Sequence, residues 1–372
     1  MTREADAARP LAVVIAGGGT GGHLYPGIAV AREIVARVPG AVVSFAGTAR
    51  GIESRVVPRE GFPLDLIRSG GLKGKDVADR LRGVGLLPLG ALDAWRLLSA
   101  RRPHLVIGVG GYSSGPVVLL AALRGMPTML LEQNAVPGLT NRVLAPFVGA
   151  AAVTYDATLP FFKGKGFVSG NPVRPQFLAI AEAAPDRRAA PVRVLIFGGS
   201  QGAHAINVAA VEAAPRLAAT PLAVTHQTGE RDLEVVREGY RRAGLVARVE
   251  PFLYEMDREM SEADVIVCRA GATTLAEITA AGRASVLVPL PTATDDHQRK
   301  NAEVLVKAGA ADLLEQDRMT GALLAERILT LIGDQARLAA MALAARRLAR
   351  PDAAMVIADK AFELARGADV ES

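Results

Sequence analysis

Three short stretches of this chain carry side chains whose types and spacing suit chemistry. The first is Gly17-Gly18-Gly19-Thr20-Gly21-Gly22-His23. Glycines allow a sharp turn and close approach of backbone to a ligand, and the N–H groups at the start of the following helix can hold a phosphate or a sugar hydroxyl. His23 adds an imidazole, a type of group that can take a proton near neutral pH. Equally, His23 can be a structural hydrogen-bonder. Gly17, Gly19 and Gly22 also satisfy the dinucleotide spacing G-x-G-x-x-G. That fingerprint wants an acidic residue about 20 positions on, at the end of the next strand, to hold a ribose. Here the next expected strand, 42–46, ends in Gly47-Thr48, which removes the best support for a nicotinamide or flavin site.

The second stretch, Arg269-Ala270-Gly271-Ala272-Thr273-Thr274-Leu275-Ala276-Glu277, leaves an apolar strand and opens a helix expected to reach Ala281. Small residues permit close approach, the helix N-terminus favours negative charge, and Thr273 and Thr274 add hydroxyls and N–H groups for a diphosphate. One helix end contributes only about 0.3–1 kcal/mol per exposed charge, so several donors must act together. Glu277, one turn in, is placed to accept two hydroxyls of a ribose, unless it is simply a solvated helix carboxylate. The third stretch, 289–301, clusters Asp295, His297, Gln298 and Asn301 beyond another strand end. Amides and carboxylates at that density suit a sugar, and a helix N-cap at Asp295 or Asp296 explains only part of the cluster.

Strands must deliver these loops and helices must receive them. Apolar strands are expected at 11–16, 42–46, 64–67, 104–109, 128–131 and 151–154, with helical patterns at 28–38, 91–100 and 116–124 between them. Alternating strand and helix implies a parallel sheet with right-handed crossovers, whose ligands bind at the carboxyl ends of strands. The turns 17–22 and 108–115 fall there. An Ala-rich segment with Pro185 and Pro191 reads as a linker, after which strand 192–197, the loop Gly198-Gly199-Ser200-Gln201-Gly202-Ala203 and helix 205–218 restart the pattern. Strands at 222–226, 264–268 and 284–289 complete a second sheet. The divisions are therefore 1–178, a linker at 179–191, a second domain at 192–350, and a closing segment, 351–372, that packs back on the body as an amphipathic helix.

At 372 residues the chain can build two cores, and 50% hydrophobic with only 4% aromatic residues makes those cores aliphatic, as covered parallel sheets require. A net charge of +5 suits anionic lipid, nucleotide or nucleic acid without choosing among them. Cys268 is the only cysteine and ends an apolar strand, so it reads as a buried, inert thiol. Five scattered histidines have no metal-ligand spacing, and no D-x-D occurs, so a bound structural metal is not expected. The polar first ten residues carry no signal peptide, and the uncharged run between Arg102 and Arg124 reads as strand, loop and helix rather than a membrane span. Residues 72–95 mix Leu81, Val84, Leu86, Leu87 and Trp95 with Lys73, Lys75, Arg80, Arg82 and the adjoining Arg96. This is either an interfacial patch on anionic lipid or a helix packed on the sheet.

Six motifs occur together and in order: Gly-Gly-Thr-Gly-Gly-His; Gly-Gly-Tyr-x-Ser-Gly-Pro at 110–116; Glu132-Gln133-Asn134; Gly170-Asn171-Pro172-Val173-Arg174; Gly-Gly-Ser-Gln-Gly-Ala; and Cys268-Arg269-x-Gly271-Ala272. In this combination the chain resembles the MurG family over nearly its whole length. The resemblance implies an α/β protein of GT-B type, with two Rossmann-like doubly wound domains and an interdomain cleft. It implies an inverting transfer of N-acetylglucosamine from UDP-N-acetylglucosamine to the C4 hydroxyl of undecaprenyl-pyrophosphoryl-muramoyl-pentapeptide, in peptidoglycan biosynthesis. The first domain would take the lipid acceptor and face the membrane, and the second would take the nucleotide sugar.

By the same resemblance, Thr20, Gly21 and Gly22 lie by the reacting sugar and the acceptor diphosphate, with Asn134 near the sugar. Arg174 and Ser200 approach the nucleotide, Leu253 lines the uracil pocket, and Ala272, Thr273, Thr274, Leu275 and Ala276 cradle the diphosphate. Glu277 holds the ribose, Gln298 reads the sugar hydroxyls, and His23 is the candidate base. The implied partners are the nucleotide sugar, the lipid-linked acceptor and an anionic membrane surface, with no nucleic acid, cofactor or metal. The implied location is peripheral, on the cytoplasmic face of the cell membrane. A glycosyltransferase with a soluble or diacylglycerol acceptor shares the fold, but the Glu-Gln-Asn and Asn-Pro-Val-Arg motifs argue against it. A UDP-N-acetylglucosamine 2-epimerase shares the two-domain design and would convert the nucleotide sugar without any lipid acceptor. A noncatalytic nucleotide-sugar binder would bind UDP with no turnover.

Overall fold

The computed structural model describes residues 10–69, 87–179, 191–199 and 201–370. Ser200, most of the expected linker, and residues 72–86 of the basic and apolar segment lie outside the described residues. The chain divides into two compact units, Met1–Pro172 with Asp352–Ser372, and Val173–Pro351.

In the first unit, strands β1 (Ala12–Gly17), β2 (Val42–Gly47), β3 (Leu64–Leu66), β4 (Leu105–Gly110), β5 (Thr128–Glu132), β6 (Ala150–Val153) and β7 (Gly166–Val168) form one parallel sheet in the order β3-β2-β1-β4-β5-β6-β7. Side chains alternate along a strand: Val13 and Ile15 enter one core, Val14 and Ala16 the other. Both faces of the central strands are thus buried, which is why β1, β4 and β6 read as unbroken apolar runs. Helices α1 (Gly21–Arg37), α2 (Glu53–Arg59), α3 (Leu87–Arg101), α4 (Ser114–Leu123) and α5 (Leu139–Leu144) cover the faces. Strand order reverses between β1 and β4, the switch point at which such sheets bind ligands.

The second unit repeats the winding. It runs α6 (Pro175–Ala179), β8 (Val192–Phe197), α7 (His204–Leu217), β9 (Leu222–Gln227), α8 (Leu233–Ala243), β10 (Ala247–Glu250), α9 (Met256–Glu262), β11 (Val265–Cys268), α10 (Ala272–Ala281), β12 (Ala284–Leu287), α11 (His297–Lys307), β13 (Asp312–Leu313), α12 (Gly321–Gly333) and α13 (Gln335–Leu348). The sheet order is β10-β9-β8-β11-β12-β13, all parallel, with its switch point between β8 and β11.

The structure departs from expectation in two respects. Residues 173–178, assigned by sequence to the first domain, lie in the second unit, because Phe177 is fully buried in the core that holds Leu195, Leu275 and Ile278. Strands β7, β10 and β13 are not expected from the sequence: β10 carries Arg248 and Glu250, β13 is Asp312-Leu313 and β7 is Gly166-Phe167-Val168, so none stands out as an apolar run. The closing helix α14 (Ala353–Val370) belongs to the first unit, burying Ile357, Ala358 and Ala361 in the core that also holds Val13 and Ile15. Arg37 of α1 pairs with Asp359 at 2.6 Å to hold it there. No single described helix is long and apolar enough to cross a bilayer.

Candidate active site

At the first switch point, the ends of β1 and β4 run into two interlocking glycine loops. The Gly18 N–H donates to Gly110 O at 3.3 Å, and a Cβ on Gly111 would stand 2.6 Å from Gly18 O. Gly110 makes room for the histidine, since a Cβ there would lie 2.9 Å from His23 Cδ2. Thr20 is the N-cap residue of α1, and Gly21, Gly22 and His23 are its first three residues. The Thr20 hydroxyl lies 3.2 Å from His23 Nδ1 and orients the ring. The structure therefore brings Thr20, Gly21, Gly22 and His23 to one strand end, as expected.

One amide ahead of the helix start is already engaged: the Gly19 N–H donates to the buried carboxylate of Glu53 at 2.8 Å. The Glu-Gln-Asn motif is likewise mostly internal. Glu132 Oε1 accepts from the backbone N–H and Nδ2 of Asn134 at 3.0 and 3.2 Å, and Oε2 accepts from Gly138 N–H and Asn141 Nδ2 at 2.9 Å each. Gln133 Nε2 donates to Val109 O at 3.2 Å. Glu132 and Gln133 are buried struts, and Asn134 is the partly exposed member.

In the second unit, α10 starts at Ala272 and ends at Ala281, and its N-cap, Gly271, brings no side chain to the helix end. Thr273, Thr274 and Ala276 are partly exposed on its first turns. Leu275 is core, so any part it takes in a diphosphate cradle is through its backbone. Glu277 is not a solvated carboxylate: it is buried and pairs with Arg174 Nη2 at 2.9 Å. Burial pushes its carboxyl up, and the Arg174 guanidinium opposes that shift. Arg174 also lies over the Phe177 ring, 4.7 Å from its centroid.

The 289–301 cluster divides. Asn301 is fully buried and donates to Ala270 O at 3.4 Å, so it braces the loop before α10 rather than facing a sugar. Gln298 Oε1 accepts from Leu290 N–H at 3.0 Å, and His297 Nδ1 lies 2.7 Å from Thr294 O. Asp296 is the N-cap residue of α11, but its side chain makes no cap hydrogen bond. Its φ is +55°, and its carboxylate pairs with Arg299. At Asp296 the plain N-cap reading is thus replaced by an ion pair one turn on.

Leu253 is buried, and its N–H donates at 2.9 Å to Gln227 Oε1, while Gln227 Nε2 donates to Gly199 O at 2.8 Å. Gln227 therefore ties the second glycine loop to the segment carrying Leu253. Sequence reasoning misses both Gln227 and Glu53. The available signal for Gln227 is an amide at the carboxyl end of β9, immediately before Thr228-Gly229. Arg269 Nη1 donates to Val288 O and Pro289 O at 3.2 and 3.1 Å, joining the ends of β11 and β12 beside α10.

Two domains of glycosyltransferase family 28 match the chain in order, the N-terminal domain over residues 13–153 and the C-terminal domain over residues 193–357. The chain is 49% identical over 357 residues to the UDP-N-acetylglucosamine–N-acetylmuramyl-(pentapeptide) pyrophosphoryl-undecaprenol N-acetylglucosamine transferase of an Anaeromyxobacter species, covering 95% of this chain and 93% of that one. Among solved structures it is similar to Acinetobacter baumannii MurG, with a TM-score of 0.80 and 33% identity over 95% of this chain and 100% of that one. A UDP-GlcNAc 2-epimerase from Neisseria meningitidis, bound to UDP-GlcNAc, has a TM-score of 0.66 at 13% identity, over 95% of this chain and 100% of that one. The last likeness is one of fold alone.

Proposed function

The chain belongs to glycosyltransferase family 28, in its MurG family, and from that membership we propose that it transfers N-acetylglucosamine from UDP-N-acetylglucosamine to the lipid-linked muramoyl-pentapeptide, giving the disaccharide lipid and UDP. The observation that carries this is near-half identity along almost the whole length of a transferase with that name. Each unit also ends a Rossmann-type sheet in glycine loops at the switch point. An epimerase activity has only a fold-level likeness behind it.

In this reading the second unit holds the donor. The diphosphate sits at the N-terminus of α10, on Ala272, Thr273 and Thr274, where backbone N–H groups and the helix dipole meet the charge that grows as UDP leaves. Glu277 takes the ribose hydroxyls while Arg174 steadies its carboxylate. Leu253 lines the base, and Gln298 and Asn134 attend the sugar. Ser200 is proposed on the nucleotide side by resemblance alone.

The first unit takes the acceptor. Its C4 hydroxyl attacks the anomeric carbon from the face opposite the α-linked diphosphate, the C1–O bond to UDP breaks, and a β-linkage forms. His23, oriented by Thr20, accepts the hydroxyl proton. The acceptor's diphosphate lies along Thr20, Gly21 and Gly22. The lipid tail stays in the bilayer, and the protein binds there peripherally. Supporting this, α3 buries Ala94, Leu97 and Leu98 yet exposes Leu89, Leu92 and Trp95 by 39, 42 and 52%, and the Arg124 guanidinium lies 4.6 Å from the Trp95 ring centroid.

The test is incubation of labelled UDP-N-acetylglucosamine with the protein, with and without the lipid-linked muramoyl-pentapeptide. Label should enter the lipid fraction only when acceptor is present. Epimerised sugar nucleotide without acceptor, or saturable UDP binding with no turnover, would overturn the assignment.

A further inference from the structure

Beneath the first glycine loop lies a carboxylate that no step of the transfer uses. Glu53 opens α2, is fully buried, and accepts three hydrogen bonds of 2.8 Å: the Gly19 N–H on Oε2, and the N–H and hydroxyl of Thr48 on Oε1. The Thr48 hydroxyl in turn accepts from Gly51 N–H at 3.1 Å. Glycines from three segments make the space. A Cβ on Gly18 would stand 2.7 Å from the carboxyl carbon, one on Gly47 2.5 Å from Cγ, and one on Gly51 would overlap the carboxylate oxygens. A buried carboxyl is expensive to ionise. Here the backbone N–H bonds outweigh burial and hold it below its usual range, so it stays charged.

Gly19 is the second glycine of the G-x-G-x-x-G spacing, the one that in dinucleotide folds lets the backbone approach a phosphate. We propose that Glu53 is a built-in anion in the seat a dinucleotide phosphate would take, and that it positions Gly19-Thr20, and through Thr20 the imidazole of His23, for the acceptor. This rests on the function proposed above and makes Glu53 a positioning residue. It also accounts for a dinucleotide spacing without a dinucleotide, because the seat is filled by the chain itself. A second negative group is repelled from Gly19, which directs the acceptor's diphosphate to the Thr20–Gly22 side of the loop.

The experiment uses the full chain with Glu53→Ala, Glu53→Gln and Glu53→Asp. Steady-state kinetics vary lipid acceptor and UDP-N-acetylglucosamine in turn, calorimetry measures UDP binding, and melting is followed with and without formate. Glu53→Ala should lower kcat/KM for the acceptor roughly 100-fold, the scale of a displaced catalytic constellation. UDP affinity should hold within about twofold, since UDP is assigned to the other unit. Formate should refill the vacated seat, restoring about tenfold of the lost rate and raising the melting temperature of Glu53→Ala but not of the wild type, as any ligand of the folded state does. Formamide, of equal size and no charge, should do neither. Glu53→Gln keeps the volume but turns an N–H donor toward backbone donors, and should show the same acceptor-specific loss if Glu53→Ala does not fold. Glu53→Asp should retain part of the rate.

Wild-type acceptor kinetics in Glu53→Ala, or in Glu53→Gln where Glu53→Ala does not fold, would overturn the inference. So would a loss shared equally by acceptor and UDP, or formate acting equally on variant and wild type. A wild type that never glycosylates the lipid acceptor overturns the proposed function instead, and the formate-dependent melting still decides whether the seat exists.

Discussion

Lowering the pH from 7 to 5 should cost the second unit about 2 kcal/mol of stability through one side chain, His226. This imidazole is fully buried on β9. Its Nε2 lies 3.1 Å from Asn207 Oδ1, and its Nδ1 lies 2.7 Å from the Tyr240 hydroxyl. Asn207 Nδ2 donates to Thr228 O at 2.9 Å and Asp232 Oδ2 at 2.8 Å, which turns Oδ1 toward the ring. Nε2 therefore carries the proton and Nδ1 accepts from Tyr240. Burial holds the imidazole down to about 3, against the pull of Asp232, while the unfolded chain titrates near its ordinary value of about 6.5.

Between those values the unfolded state binds a proton that the folded state refuses. Stability thus rises with pH across the window and is lost as pH falls below about 6.5. Because pH 5 is still well above the folded value, the figure of about 2 kcal/mol depends almost wholly on the unfolded one. The readout must be local. Trp95, the single tryptophan, lies in the first unit, so its fluorescence does not report the second. Amide hydrogen exchange of β8 and β9, measured at both pH values for wild type and His226→Gln, gives the double difference in which other titrating groups cancel. A wild-type pH dependence no steeper than the variant's would mean the ring is protonated in the fold, and the reasoning fails.

His23→Ala should lower kcat by roughly 10²–10⁴-fold with UDP binding intact in calorimetry; an unchanged kcat removes it from the role of base. Glu277→Ala should raise the KM for UDP-N-acetylglucosamine more than any other parameter, because it strips the proposed ribose acceptor and leaves Arg174 without that carboxylate; a selective change in acceptor KM would contradict the assignment. Gln227→Met loses the bonds to Gly199 O and Leu253 N–H and should raise donor KM roughly tenfold, with acceptor KM unmoved, as steady-state kinetics would record. Replacing Leu89, Leu92 and Trp95 together by Ser should abolish co-sedimentation with vesicles containing anionic lipid while leaving UDP affinity in place. Equal sedimentation of the variant would return α3 to a purely packed helix.

Much of the fold is carried by patterns local in the chain. A parallel strand buried on both faces is a continuous apolar run, and the turn that leaves its carboxyl end toward a ligand is rich in glycine. Both signals lie within about ten neighbouring residues, so the two alternating units, the loops at 17–22, 198–203 and 269–273, and helix α10 are readable before any coordinates. The positions of His23, Thr20 and residues 272–276 at helix starts beyond strand ends are legible for the same reason: they are part of those loops or follow them directly.

Contacts between distant segments are different in kind, because strand order and register decide them and hydrophobic periodicity encodes neither. Glu53 reaches Gly19 across 34 residues only because β2 lies beside β1. Gln227 reaches Gly199 because β9 lies beside β8, and Arg174 meets Glu277 across 103 positions because Phe177 anchors the start of the second unit in its core. The sequence alone determined two Rossmann-type units, their glycine loops and the residue types available to a glycosyl transfer. Tertiary structure alone decided that Asn301 and Glu132 are internal braces, that Asp296 pairs with Arg299 instead of capping α11, and that a carboxylate fills the first loop from within. Each of these is a buried or paired polar group, and its partner is set by packing rather than by its neighbours in the chain.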